Sequence, residues 1–116
     1  MKQNKRQTGA AYEQAAGKYL EQQGYIILEY NYRCFFGEID IIVQKDNCII
    51  FCEVKYRKTE SMGTPLEAVG ARKQQTICKC AMYYLTERKK QGVACRFDVI
   101  GFNGGELIHI KNAFEG

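Results

Sequence analysis

The chain has 116 residues, of which 46% are hydrophobic and 26% are charged, and its formal net charge is +4. This composition excludes a disordered chain, and the length allows one domain with a real core but not two. No run of about 18 apolar residues occurs, so we expect no transmembrane segment and a cytoplasmic protein.

Six cysteines in so short a chain are compatible with zinc binding or with disulfides. However, no Cys-x-x-Cys pair occurs, and no apolar signal segment precedes the cysteines. We therefore expect reduced thiols, with Cys48 and Cys52 at core positions of a strand. The single histidine, His109, cannot build a histidine metal site alone.

The first elements are a tail and a helix. Residues 1–7 are polar and basic, which predicts a disordered tail. Thr8 is typical of a helix cap, and Gly24 suits the position just past the helix end. Apolar residues recur between them at helical spacing and are predicted to face the core: Tyr12, Ala15, Ala16, Tyr19 and Leu20.

Three strands follow. Residues 25–33 are rich in β-branched and aromatic side chains, and residues 37–45 and 48–57 predict a hairpin around Asp46-Asn47. A two-residue turn pairs residues whose numbers sum to 93, which places Asp40 opposite Glu53.

Side-chain alternation on the hairpin predicts one charged face, made of Glu38, Asp40, Glu53 and Lys55. The opposite face is predicted to contain Ile39, Ile41, Val43, Ile50, Cys52 and Val54. Like charges directly opposite each other destabilise a sheet, and a divalent cation would neutralise them. A three-residue turn would slip the register by one and separate the acids, so this prediction depends on the turn.

A second helix and two strands complete the chain. Thr64-Pro65-Leu66-Glu67 has the cap, proline and glutamate of a helix start, and Gly70 is expected to interrupt that turn. The main helix is predicted over residues 71–91, with Gly92 after it, and its inward residues are predicted to be Ile77, Ala81, Tyr84 and Leu85.

The last strands are predicted over residues 93–102 and 106–111, joined by Asn103-Gly104-Gly105. The order of elements predicts a single α/β domain over residues 1–116, with a mixed five-stranded sheet flanked by helices.

The pattern of Asp40, Glu53 and Lys55 suits phosphodiester hydrolysis. Two carboxylates on adjacent strands can hold Mg²⁺, which lowers the pKa of a bound water and stabilises charge in the transition state. Lys55 would orient or deprotonate that water, or stabilise charge on the phosphate. The alternative is a surface of paired charges, in which Lys55 bridges Glu38 or Glu53.

Further side chains are candidates for nucleic-acid contacts. Candidates for phosphate binding are the basic residues Arg57, Lys58, Arg72 and Lys73, with a solvated helix face as the alternative for the last two. Arg96 and Asp98 share a strand face, which predicts a structural ion pair, with phosphate binding as the alternative. The aromatic residues near the site include Tyr30, Tyr32, Phe35 and Phe36. Most are expected in the core, although an exposed ring would stack on a base.

Short motifs are spread over nearly the whole chain: Gly9-x3-Glu13, Ala16-x2-Tyr19-Leu20, Gly24-Tyr25, Asn31, Gly37-Glu-Ile-Asp40, Phe51-x-Glu53-Val-Lys55-x-Arg57, Lys73 and Arg96-Phe-Asp-Val-Ile100. Together they resemble the YraN-like bacterial family of uncharacterised proteins. By resemblance, that family belongs to the PD-(D/E)XK nuclease superfamily, near the archaeal Holliday junction resolvases.

The resemblance implies a restriction endonuclease-like core with Asp40 and Glu53 as metal ligands and Lys55 as the catalytic lysine. It also implies that Lys73 and Gln74 flank the site, because some related nucleases place a lysine or glutamine there, with a solvated helix face as the alternative. Glu13, which its helix position alone would make a solvated glutamate, is implied to complete the metal site. Glu38 is expected to hold Lys55 in place rather than bind metal. The superfamily's nominal proline before the aspartate is replaced by Ile39, at a position that varies in such enzymes.

We therefore expect a nuclease that depends on Mg²⁺ or Mn²⁺ and hydrolyses DNA, including branched or structured DNA. The alternative is a non-catalytic nucleic-acid-binding accessory protein that retains the nuclease-like scaffold. A homodimer is a further expectation, because a symmetric four-way junction would need one, but no surface patch in the sequence identifies it.

Overall fold

The computed structural model describes residues 5–57 and 69–115 of the chain. Its elements are α1 (Lys5–Gln22), β1 (Ile26–Cys34), β2 (Gly37–Lys45), β3 (Cys48–Arg57), α2 (Ala71–Glu87), β4 (Ala94–Asn103) and β5 (Glu106–Phe114). Residues 1–4 of the predicted tail and the predicted helix start at residues 64–67 lie outside the described residues.

The five strands form one mixed sheet in the order β1-β2-β3-β4-β5. β3 and β4, which are joined through α2, are parallel, and all other neighbours are antiparallel. An apolar cluster under α1 covers one face of the sheet, and a cluster under α2 covers the other. The predicted α/β class, with a mixed five-stranded sheet flanked by helices, is therefore confirmed.

The β2–β3 hairpin has the predicted register. Cys48 pairs with Lys45 and Cys52 pairs with Ile41, so the paired numbers sum to 93. Asp46 takes the left-handed conformation in the turn, with φ 56°. The two-residue turn on which the position of the acids depends is thus present.

α1 begins earlier than predicted. It starts at Lys5 rather than after Thr8, because the lysine, arginine and glutamine at positions 5–7 have high helix propensity. The prediction of a disordered tail is therefore wrong for residues 5–7. Ala16 and Leu20 are buried as predicted, whereas Ala15 is exposed.

α2 ends at Glu87, four residues before its predicted end. The Lys90 N–H donates to the Leu85 carbonyl (2.7 Å) and the Lys89 N–H donates to the Thr86 carbonyl (3.1 Å). These bonds form a Schellman motif, in which Lys89, with φ 56°, takes the left-handed position that glycine usually occupies. The four residues predicted to face inward from this helix, including Tyr84, are all buried.

Neither helix in residues 5–57 and 69–115 is long and apolar enough to cross a bilayer. All six cysteines are free thiols, as predicted, and Cys52 is buried whereas Cys48 is half-buried. β5 continues to Phe114, three residues beyond its predicted end.

Candidate metal and nucleic-acid site

The regular alternation of side chains breaks at the centre of the β1–β2 ladder. Asn31 of β1 has a left-handed conformation, with φ 52°, and its neighbour Tyr32 pairs with Ile39. Ile39 packs in the cluster under α2, whereas Ile41 packs in the cluster under α1. The prediction that Ile39 and Ile41 share a face is therefore wrong. The alternation of side chains along β2 is interrupted between them, at Asp40.

Asp40 lies where β2 and β3 separate. The backbone pairs of the hairpin run from Lys45 and Cys48 to Ile41 and Cys52. Beyond them, Asp40 Oδ2 accepts a hydrogen bond from the Val54 N–H at 2.9 Å. A carboxylate thus takes the place of a backbone carbonyl, and its charge lies in the gap between the two strands.

Three carboxylates converge on the α1 side of this gap, and we call them the carboxylate cluster. Glu13, Glu38 and Asp40 each place one oxygen within 4.8 Å of the others. Carboxylate oxygens are the ligands that Mg²⁺ and Mn²⁺ prefer, so the donor set fits a hard divalent cation. Glu38 does not hold Lys55 as predicted; its Oε2 lies 3.4 Å from Arg33 Nε.

Glu53 lies on the α2 side of Asp40, so the predicted single charged face divides into two parts. Its Oε2 is 3.4 Å from Lys73 Nζ and accepts no hydrogen bond within the described part of the chain. Its side chain is only 4% exposed. A buried acceptor without a hydrogen bond is destabilising, and a nearby cation removes that penalty.

Asp40 links the two parts, because its carboxyl is also close enough to Glu53 to raise the pKa of that residue. Burial, followed by the hydrogen bond and charge of Asp40, raises the pKa of Glu53 to about 9, while Lys73 and Lys55 oppose the shift. Burial, followed by the charge of Asp40, raises the pKa of Glu13 to about 7. Without a cation, the site therefore retains protons at neutral pH.

α1 comes close to β1 next to this cluster because Gly17 has no side chain. A Cβ at Gly17 would overlap the hydroxyl of Tyr30. Beside Glu13, a groove of about 440 Å³ opens between the helix and the strand. The cluster is thus reachable from solvent, and the Asn31 side chain, which also lines the groove, partly opposes the rise in the pKa of Glu13.

The residues predicted to bind phosphate or to flank the site have different environments. Lys73 contacts Glu53 within the site, and Arg72 is exposed on the same helix. The Gln74 amide instead donates to the Val69 carbonyl at 2.9 Å, where it stabilises the start of α2. Arg57 is the last residue of β3, and Lys58 lies outside the described residues.

The predicted ion pair between Arg96 and Asp98 forms, and it belongs to a larger buried network. Arg96 Nε and Nη2 donate to Asp98 Oδ1 (2.8 Å) and Oδ2 (2.9 Å). Asp98 Oδ2 also bonds His109 Nε2 (2.7 Å), and His109 Nδ1 bonds the hydroxyl of Tyr19 (2.9 Å). The sequence contains no spacing signal for the last contact, which joins residues 90 positions apart.

The family model described as "Uncharacterised protein family UPF0102" matches residues 12–102. The chain belongs to this family. A UPF0102 protein of Syntrophus aciditrophicus is 46% identical over an alignment of 119 residues, which covers 99% of this chain and 93% of the relative. One of Fusobacterium nucleatum is 47% identical over 113 residues, covering 97% and 95% of the two chains.

Membership of UPF0102 confirms the YraN-like resemblance and assigns no activity, because the relatives carry only the family name. The matched range contains the whole carboxylate cluster together with Glu53, Lys55 and Lys73. The candidate site therefore lies inside the part of the chain by which the family is defined.

Glu53→Gln is expected to stabilise the metal-free protein at pH 8. The pKa of about 9 in the folded state exceeds the ordinary value of 4.5, so the folded state binds more protons between these values and loses stability as pH rises. Glutamine removes this loss, and we expect a gain on the order of 1 to 3 kcal/mol in the free energy of unfolding.

Urea denaturation in EDTA at pH 5 and pH 8 measures this gain, which should be small at pH 5. Glu106→Gln, which changes an exposed acid of β5, is the matched control and should show no pH-dependent gain. A loss of stability in Glu53→Gln at pH 8 would contradict the assignment of Glu53 as a buried carboxyl that is costly to ionise.

Proposed function

We propose that the protein is a nuclease that depends on Mg²⁺ or Mn²⁺ and hydrolyses DNA phosphodiester bonds, including those of branched or structured DNA. The observation that carries this proposal is the position of Asp40. It joins the carboxylate cluster to the buried Glu53 where β2 and β3 separate. The resemblance of Gly37-Glu-Ile-Asp40 and Glu53-Val-Lys55 to PD-(D/E)XK motifs supports a restriction endonuclease-like core.

Glu13, Asp40 and Glu53 would hold the cation, and Glu38 adds a fourth acid beside them. A bound Mg²⁺ or Mn²⁺ ion supplies Lewis acidity, which activates water and neutralises charge on the phosphate. Lys55 follows Glu53 by two residues on the same strand face and is close enough to lower the pKa of Glu53. Its ammonium would stabilise charge on the phosphate.

DNA is the partner that the charges favour. The net charge is +4, and Arg72 and Lys73 both lie at the start of α2, where Lys73 contacts Glu53. Because lysine and arginine release counterions when they bind phosphates, DNA affinity should fall steeply with salt. We place the protein in the cytoplasm, where its six thiols would stay reduced.

A cleavage assay tests the proposal. Purified protein is incubated with linear, flapped, looped and four-way DNA in Mg²⁺, Mn²⁺ or EDTA, beside Asp40→Asn and Lys55→Ala. Cleavage should require metal and be lost in both variants, whereas Lys111→Ala, which changes an exposed lysine of β5, should retain it. Cleavage that persists in both site variants would indicate a contaminating nuclease.

Salt-sensitive DNA binding without cleavage in any metal would identify the alternative function, a non-catalytic nucleic-acid-binding accessory protein. In that case the binding should survive both Asp40→Asn and Lys55→Ala. If the protein binds neither metal nor DNA, the remaining function is that of a structural interaction module.

Metal affinity is expected to fall as pH drops below 7. Metal binding needs ionised carboxylates, and burial and Asp40 raise the pKa of Glu13 to about 7. Each displaced proton weakens Mn²⁺ binding about tenfold per pH unit below that value. Isothermal titration calorimetry at pH 6, 7 and 8 measures this dependence.

Glu13→Gln should weaken Mn²⁺ binding at pH 8 and reduce its pH dependence. Glu21→Gln, on the exposed part of the same helix, provides the matched control. Unchanged affinity in Glu13→Gln would remove Glu13 from the metal site.

A further inference from the structure

The turn between β1 and β2 carries two exposed aromatic side chains. Phe35 is 94% exposed, and Phe36 packs edge to face against it with ring centroids 5.6 Å apart. Tyr83 of α2 continues the surface, with its ring 6.5 Å from that of Phe36. We call these three rings the aromatic turn surface. A fully exposed phenylalanine in a tight turn contributes nothing to the core, and exposed apolar surface of this kind marks interaction sites.

The turn that carries the aromatic turn surface leads directly into β2, the strand of Glu38 and Asp40. Phe35 precedes Glu38 by three residues. Arg33, which leads into the turn, reaches Glu38 with its Nε at 3.4 Å.

The charges around the surface favour a polyanion over a second copy of the chain. Lys79 Nζ lies 6.0 Å from the ring centroid of Phe36, and the Arg33 side chain is 75% exposed. An adjoining groove of about 360 Å³ is lined by Phe36, Cys78, Lys79, Met82, Tyr83 and Thr86. None of these six is acidic, so a two-fold contact would bring lysines together, whereas nucleic acid supplies phosphates.

We propose that the aromatic turn surface stacks on an unpaired nucleobase of the DNA that the protein binds. This inference rests on the proposed function and deepens it. Aromatic side chains stack on the face of any base, and in an intact duplex these faces are covered by neighbouring pairs. The substrate class is therefore DNA that contains unpaired bases.

Fluorescence of a single-stranded oligonucleotide with one 2-aminopurine base tests the contact in EDTA at low salt, where no cleavage is needed. Wild type should quench the fluorescence. Phe35→Ala should lose the quenching and bind about 5- to 100-fold more weakly. Phe35→Tyr, which keeps an aromatic ring, should retain both, whereas Phe35→Leu, which keeps only apolar bulk, should lose the quenching. Ile26→Ala, at the other end of β1 and 64% exposed, is the matched control and should behave as wild type.

Equal quenching by wild type and Phe35→Ala would overturn the proposal, as would wild-type quenching and affinity in Phe35→Leu. Analytical ultracentrifugation adds a further outcome: a wild-type dimer that Phe35→Ala converts to a monomer would assign the surface to a second copy and also overturn it. Because these measurements contain no divalent metal, absence of cleavage in Mg²⁺ would not affect them. The stacking proposal and the nuclease proposal therefore fail separately.

Discussion

Asp40→Asn is expected to lower the rate of Mg²⁺-dependent DNA cleavage at least about 1,000-fold, which corresponds to about 4 kcal/mol of transition-state stabilisation. The reason is that Asp40 is shared. It belongs to the carboxylate cluster, and its charge also raises the pKa of Glu53, so removing that charge affects both groups of acids. Asparagine keeps an oxygen that can accept the Val54 N–H, so the strand ends should stay in place. Single-turnover cleavage kinetics measure the loss.

A second readout does not depend on activity. The charge of Asp40 raises the pKa of both Glu13 and Glu53, so both pKa values should fall in Asp40→Asn, as followed by NMR of the side-chain carboxyl carbons. Asp46→Asn, in the exposed hairpin turn, should change neither cleavage nor these values. Wild-type cleavage with unshifted carboxyl titrations in Asp40→Asn would place the chemistry elsewhere on the molecule.

The hairpin that carries Asp40 and Glu53 could be predicted because its information is local. Asp46-Asn47 sets a two-residue turn, and the turn fixes the register of every pair behind it. The proximity of the two acids follows from that register alone. Side-chain alternation, however, holds only while both strands remain regular.

Asn31 is where regularity ends, and the sequence offered one signal for it. Asparagine is depleted in strands and tolerates the left-handed conformation, so its place between Tyr30 and Tyr32 was anomalous. Its consequence could not be read locally. The interrupted alternation places Glu38 beside Glu13 and in contact with Arg33 rather than Lys55. This placement depends on how β1, β2 and α1 pack together.

The end of α2 near Lys89 also could not be predicted from the local sequence. Gly92 was the expected stop, since glycine favours the left-handed conformation, but a lysine adopts it three residues earlier. Tertiary packing of the last turn, with Leu85 and Tyr84 buried, outweighs the modest local cost of a left-handed lysine. The network of Asp98 is likewise a product of long-range packing.

Asp98→Ala is expected to lower the free energy of unfolding by about 3 to 5 kcal/mol. This is the largest loss of stability that we expect from a single substitution of a buried residue. Asp98 is fully buried and accepts hydrogen bonds from Arg96, from the Asn112 N–H and in the contact with His109. Removing the carboxylate leaves the Arg96 guanidinium without its buried partner. Urea denaturation at pH 7 should show the loss, with a thermal midpoint lower on the order of 10 °C.

Burial raises the pKa of Asp98, but hydrogen bonds from His109, Arg96 and Asn112 lower it by more. The pKa of Asp98 therefore lies below its ordinary value of 3.8. A lowered pKa contributes stability that is present above that value and is lost as pH falls further, so the difference in stability between Asp98→Ala and wild type should be complete at pH 7.

Asp98→Asn should lose less stability than Asp98→Ala, because it keeps one acceptor oxygen, and Asp46→Asn should stay within about 0.5 kcal/mol of wild type. Mn²⁺ affinity of folded Asp98→Asn should match wild type, since Asp98 is not in the carboxylate cluster. A stable Asp98→Ala that no longer binds Mn²⁺ would instead make this network part of the metal site.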